Sequence, residues 1–147
     1  MKNDYKEHFI IENRIEELPV LSEKIEQLGK KWEFLSPLIM KINLVLEEAL
    51  SNIIYYAFKD KEIHKIEVSI SNKANKLIIE ITDDGIPFDP TTSEQPDISL
   101  PASERPVGGL GIFLISKIMD TVGYSRKNNL NILTLTKFYE NIERKNN

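Results

Sequence analysis

The chain contains no cysteine, which excludes a disulfide framework, a thiolate metal centre and a thiol nucleophile. Positive charge is in deficit: 19 Lys and Arg stand against 23 Asp and Glu, a formal net charge of −4. A dedicated binder of the nucleic-acid backbone needs a basic surface, so no direct nucleic-acid contact is expected. No apolar run approaches the ~18 residues that a membrane-spanning helix requires. The opening MKNDYKEHFI is too polar for a signal peptide. Internal repeats and low-complexity tracts are missing too. Apolar content is ordinary, with 41% hydrophobic and 8% aromatic residues over a length of 147, enough to offset ordering entropy in one compact unit. These bounds predict a cytoplasmic single domain spanning residues 1–147, without membrane association.

Apolar spacing divides the chain into elements. His8 to Asn13 reads as a short edge strand. Leu21, Ile25, Leu28 and Trp32 recur at intervals of three and four, the mark of an amphipathic helix over Leu21 to Phe34. Pro37 stands where a second helix would begin, and a broad apolar stripe runs from Leu38 and Ile39 to Ala57. The period then drops to two in Ile63 to Ser71, with Ile66, Val68 and Ile70 alternating, and Leu77 to Thr82 follows after a turn. Five prolines (87, 90, 96, 101 and 106) crowd a long Ser- and Thr-rich segment, and such loops are usually functional or disordered. A third helix passes through Phe113, Ile115, Ile118 and Met119. Strands at Gly123 to Lys127 and Ile132 to Phe138 meet at Asn128-Asn129, a pair tolerant of positive φ. Strand runs separated by helices predict an α/β two-layer sandwich: a mixed, largely antiparallel sheet with helices on one face.

Chemistry concentrates in three places. Glu48 and Asn52 lie four apart on the second helix, hence on one face, and the spacing puts them opposite the apolar stripe. The Asn carbonyl suits Mg²⁺, and the Glu carboxylate suits the removal of a hydroxyl proton. Asp83-Asp84-Gly85 follows a strand directly, where Asp83 can accept from an amino group and Gly85, lacking Cβ, lets a flat ring approach the backbone. Gly108-Gly109-Leu110-Gly111 opens the third helix, and convergent N–H groups at a helix start favour phosphate. Taken singly, these read as solvated surface residues, an ordinary Asp-Gly turn and a glycine hinge.

Taken in order, the three resemble the motifs of the Bergerat-fold (GHKL) ATPases, which bind ATP between a helix layer and a loop called the ATP lid. Glu48 to Asn52 is similar to the N box, Asp83-Asp84-Gly85 to the G1 box and Gly108 to Gly111 to the G2 box. The resemblance covers about Leu21 to Phe138. Within the superfamily, Asp84-Gly85-Ile86-Pro87-Phe88-Asp89-Pro90, Glu104 to Gly111 and Leu133 to Lys137 resemble the anti-sigma factor serine kinases. That likeness implies Glu48 as catalytic base, Asn52 holding Mg²⁺, Asp83 on the adenine amino group and Gly85 under the base. It also implies Gly108, Gly109, Leu110 and Gly111 at the phosphates, a lid over about 91–107, and Arg105 as the lid's candidate ligand for the γ-phosphate. One departure stands out: many relatives carry a Gly-Thr pair leading into the last strand, with the Thr near adenine, where this chain has Asn131-Ile132.

The resemblance implies an ATP- and Mg²⁺-dependent kinase that sequesters a sigma factor or similar regulator and phosphorylates a serine on a STAS-domain antagonist. It also implies a homodimer, for which the sequence carries no interface signature. Two other readings remain at this point. One is a nucleotide-gated binding regulator without physiological phosphotransfer, suggested by the altered last strand and the lid composition. The other is the ATP-binding domain of a histidine kinase, but neither His8 nor His64 sits in a helical dimerisation segment.

Overall fold

The computed structural model describes residues 4–89 and 109–140. Their elements run β1 (Tyr5–Glu12), α1 (Glu17–Lys31), α2 (Ser36–Tyr56), β2 (Lys65–Lys73), β3 (Lys76–Asp83), α3 (Gly109–Ile118), β4 (Thr121–Lys127) and β5 (Leu130–Phe138). The strands form one sheet in the order β1-β2-β3-β5-β4. All four ladders are antiparallel, so the sheet is not mixed but antiparallel throughout. Two tight hairpins explain the pattern. Ala74 and Asn75 join β2 to β3, Asn128 and Asn129 join β4 to β5, and all four have φ between 53° and 64°. Two successive positive-φ residues make the turn whose twist matches paired antiparallel strands.

The first helix begins earlier and ends earlier than its apolar spacing suggests. Trp32 caps it, the Glu33 N–H donates to the Lys30 carbonyl, and the Phe34 N–H donates to the Gly29 carbonyl. That pair of bonds is a Schellman ending, with Glu33 at φ 61° in the place usually held by glycine. Trp32 and Phe34 therefore leave the helix and turn into an aromatic chain. Tyr5 stacks on Trp32 at 5.2 Å, Trp32 meets Phe34 edge-on, and Phe34 meets Tyr139 at 5.3 Å. Edge strand β1 is thereby fastened to the helix layer.

Strand alternation builds the core. Ile66, Val68 and Ile70 on β2 and Leu77, Ile79 and Ile81 on β3 are fully buried, facing Val45, Leu46 and Leu50 of α2 in one cluster. The same inward rows end in polar residues: Asn72 at one end of the sheet, Asp83 and Asn131 at the other. Asn72 is matched by the Tyr139 hydroxyl at 2.6 Å. The opposite end carries the chemistry. No helix among the described residues is long and apolar enough to cross a membrane.

The two long helices touch where α1 has no side chain. A Cβ on Gly29 would lie 2.4 Å from Ile39 Cγ1, closer than packed atoms come. Gly29→Ala should therefore lower stability by about 1–3 kcal/mol in urea unfolding, although alanine is the better helix former. A gain in stability would show that the crossing has slack.

Candidate functional site

At the Asp83 end of the sheet, three strands and a helix bring their polar residues together. Asp83 on β3 is paired in register with Asn131 on β5, and Asn131 with Arg126 on β4. Directly opposite residues share a face and lie within reach of each other's side chains. Asp83 and Asn131 are 4% and 5% exposed. Asp83 Oδ1 accepts from the Gly85 N–H at 2.8 Å and from Asn131 Nδ2 at 3.0 Å. Burial pushes the Asp83 carboxyl above its ordinary value, and these two donors oppose that rise. Its second oxygen makes no hydrogen bond among the described residues.

Asn52 faces the same place from α2. Its position four residues after Glu48 predicted a side chain opposite the apolar stripe, but it is buried at 7% exposure. The stripe is wider than the spacing suggested, because α2 packs on α3 as well as on the sheet. Among the described residues Asn52 Nδ2 is buried with no hydrogen-bond partner. Such an orphan costs about 1–3 kcal/mol unless something supplies the missing bond. Asn52, Asp83 and Asn131 line one cavity with Ala49, Ile53, Ala57 and Leu133, closed by Phe88, Tyr124 and Ile112 of α3. It measures about 30 Å³, room for one or two waters, so a planar base enters only if lining side chains move; Phe88 among them is 42% exposed. A larger hollow of about 590 Å³ lies between α1 and α2 and is lined by none of the expected site residues. Size does not mark the site; the orphan amide does.

Gly85 turns out to serve a different contact from the one its lack of a Cβ suggested. A Cβ there would sit 2.5 Å from the Ala57 carbonyl oxygen and 2.6 Å from the Ala57 Cβ. The Ile86 N–H donates to that carbonyl at 2.8 Å. The glycine is required first by the packing of the strand end against the end of α2. Glu48 lies one turn before Asn52 but does not line the cavity. Partial burial, and then the neighbouring Glu47, hold its carboxyl above the usual range. Gly109, Leu110 and Gly111 form the first turn of α3, whose next residue, Ile112, reaches the cavity. Arg105, Gly108 and the expected lid lie outside the described residues.

Tyr124 and Arg126 carry no signal in the sequence, and Ala57 and Asn131 read there only as the end of an apolar stripe and as a departure from a family pattern. The available signal was Asn131 itself, a polar residue opening the inward row that continues as Leu133 and Leu135.

The residues present suit a magnesium nucleotide. Among the described residues no group of three His, Cys, Asp or Glu can hold a metal. A metal here would rest chiefly on phosphate and water, as Mg²⁺ readily does, with the Asn52 amide as the protein's contribution.

A family model described as a histidine kinase-like ATPase domain matches residues 11–137. Serine/threonine-protein kinase BtrW of Bordetella bronchiseptica is 27% identical over 112 residues, 76% of this chain and 79% of its own length. Serine-protein kinase RsbW of Listeria monocytogenes is 34% identical over 88 residues, 57% of this chain and 56% of its own. RsbW of Bacillus thuringiensis is 28% identical over 106 residues, 69% of this chain and 65% of its own. The chain thus spans less than two thirds of the length of both RsbW relatives.

A strap outside the cavity holds the Asp83-to-Gly85 turn. His64 Nδ1 pairs with Asp84 Oδ1 at 3.0 Å and Nε2 with Asp60 Oδ1 at 2.8 Å, while its ring stacks on Phe58. The bond to Asp60 raises the His64 pKa most, burial opposes it, and the Asp60 and Asp84 charges and the Asp84 bond raise it further. A raised folded-state value stabilises the fold below the unfolded pKa of about 6.5, and that contribution is lost as pH rises through the folded value. His64→Gln should therefore cost most stability near about pH 5.5 and progressively less by about pH 8. A cost independent of pH, measured by thermal unfolding, would contradict the strap.

Proposed function

We propose a kinase function on the premise that the chain belongs to the histidine kinase-like ATPase family and, within it, to the anti-sigma factor serine kinases. The protein binds ATP with Mg²⁺ and transfers the γ-phosphoryl group to a serine hydroxyl of a STAS-domain antagonist. By the same partner switching it sequesters a sigma factor or similar regulator in the cytoplasm. The observation that carries this reading is the buried, partnerless Asn52 amide facing the Asp83 carboxylate across one cavity.

Each residue then has a task. The free oxygen of Asp83 accepts from the amino group of adenine. Asn52 offers its carbonyl oxygen to the metal beside the triphosphate, and a half-turn about its last torsion exchanges oxygen for nitrogen without cost in shape. The first turn of α3, at Gly109 to Gly111, presents backbone N–H groups to phosphate oxygens. Arg105 from the lid over about 91–107 neutralises the γ-phosphate. Glu48, one helical turn from Asn52 and outside the cavity lining, takes the proton of the acceptor hydroxyl. Its raised pKa makes it a stronger base than an ordinary carboxylate. Bound magnesium spreads the charge that develops on the transferring group, and phosphoryl transfer relies mainly on such positioning and charge stabilisation.

A second reading, nucleotide-gated binding of a regulator without phosphotransfer, draws on the absence of Glu48 from the cavity lining. One experiment separates the two. With labelled ATP and a co-encoded STAS protein, the wild type should yield acid-stable phosphoserine. Glu48→Gln should reduce transfer about 10²-fold or more with MgATP affinity nearly unchanged. Undiminished transfer in Glu48→Gln would remove Glu48 from the role of base. ATP binding with every partner serine left unmodified by mass spectrometry would establish the second reading.

A further inference from the structure

Asn131 stands where the resemblance expected a different residue, and its amide is saturated. Both Nδ2 hydrogens are taken, one by Asp83 Oδ1 at 3.0 Å and one by the Ile86 carbonyl at 2.8 Å. Its Oδ1 accepts from the Tyr124 hydroxyl and from Arg126 Nη1. A primary amide has two donor hydrogens and two acceptor lone pairs, so nothing is left with which Asn131 could hold a ligand. Its orientation is fixed as well, because a flipped amide would set oxygen against a carboxylate and a carbonyl. Arg126 closes the arrangement by donating to the Gly85 carbonyl at 2.8 Å. The buried amide thus joins β3, β4, β5 and the turn at 85–86.

Asp83 Oδ1 therefore accepts from two N–H groups, and these donors favour the ionised carboxylate against the larger opposing effect of burial. An ionised carboxylate accepts hydrogen bonds and donates none. Its free oxygen at the cavity wall matches the amino hydrogens of a 6-aminopurine and repels the carbonyl oxygen of a 6-oxopurine. Resting on the nucleotide reading above, we propose that Asn131 is a positioning residue that selects 6-aminopurine nucleotides by locking Asp83 as an acceptor, without touching the base itself. Tyr124 and Arg126 hold Asn131 in turn.

Other charged groups around Asp83 are few. Asp84, its neighbour in the chain, favours the protonated form but is engaged by His64. Arg126 on β4 favours the ionised form. From α2 and α3 the cavity receives only uncharged side chains: Ala49, Asn52, Ile53, Ala57 and Ile112.

The test is calorimetric titration of the whole chain with MgATP and MgITP between pH 5.5 and 8.5. Wild type should prefer ATP by a ratio that stays flat with pH. Asn131→Asp keeps the shape but replaces two donors by lone pairs facing Asp83 and Ile86. Its ATP affinity should fall about tenfold or more, the worth of one lost hydrogen bond to a charged group. The ATP:ITP ratio should shrink, and ATP binding should become pH-dependent as two facing carboxyls share a proton. Tyr124→Phe, which removes one donor to Asn131 and leaves its volume nearly unchanged, should move the ratio in the same direction by less, and decides the matter if Asn131→Asp does not fold. An unchanged ratio and pH profile in the folded variants would overturn the proposal and leave the nucleotide site standing. A wild type that binds neither nucleotide would overturn the site and the proposal together.

Discussion

The end of β3 and the end of α2 meet without a side chain between them, and the candidate site depends on that meeting. Gly85 brings its backbone against Ala57, the Ile86 N–H bonds the Ala57 carbonyl, and no Cβ fits in the gap. The contact brings helix layer and sheet together at one end, so the last inward residue of β3 and the first of β5 face the last buried turns of α2. Elsewhere those rows hold Ile, Leu and Val in close packing. Here they hold Asp83, Asn131 and Asn52, and the space between them stays partly open. A cavity at the polar end of an otherwise apolar interface follows from two layers that touch at their margin and are lined, just inside it, by groups too polar to pack dry.

The polar groups around the cavity divide into satisfied and unsatisfied ones. Asn131 has every bonding position filled, and among the described residues Asp83 has one oxygen filled and the other without a bond. Asn52 has a buried nitrogen with no partner. Networks of this kind are rigid where complete and receptive where incomplete. The complete part holds the turn, and the incomplete part is aimed at whatever enters. Glu48 stands apart from both, outside the cavity lining one helical turn before Asn52, raised in pKa by partial burial and by Glu47.

Much of this was legible in the residues. The alternation of Ile66, Val68 and Ile70 located β2, Pro37 marked the start of α2, and Asn128-Asn129 marked a positive-φ turn, each through a local rule that tertiary packing did not override. Asp83 and Asn52 stand out in the sequence as candidate site residues, and the fold brings both to one cavity. What escaped was whatever depends on the partner across a gap. Helical phase alone put Asn52 opposite the apolar stripe, because spacing does not reveal that a second helix, α3, also covers α2. Gly85 reads in sequence as room for a ligand's approach, because the chain does not announce that the Ala57 carbonyl oxygen lies 2.5 Å from where its Cβ would be. Asn131 read as a departure from a family pattern, and its bonds became visible only with the register that sets it beside Asp83 and Arg126. The Schellman ending escaped for a simpler reason: Glu33 occupies a left-handed position in which glycine is the usual signal.

The central claim is that Asn52, Asp83 and the start of α3 surround one nucleotide. Its most direct test is a titration of ¹⁵N-asparagine-labelled protein with MgATP, followed through the side-chain NH₂ resonances. The account predicts large shifts for Asn52 and smaller ones for Asn131, with Asn75, Asn128 and Asn129 at the hairpin tips unmoved. Saturable ATP binding that leaves the Asn52 amide in place, or shifts confined to residues around the hollow between α1 and α2, would contradict it.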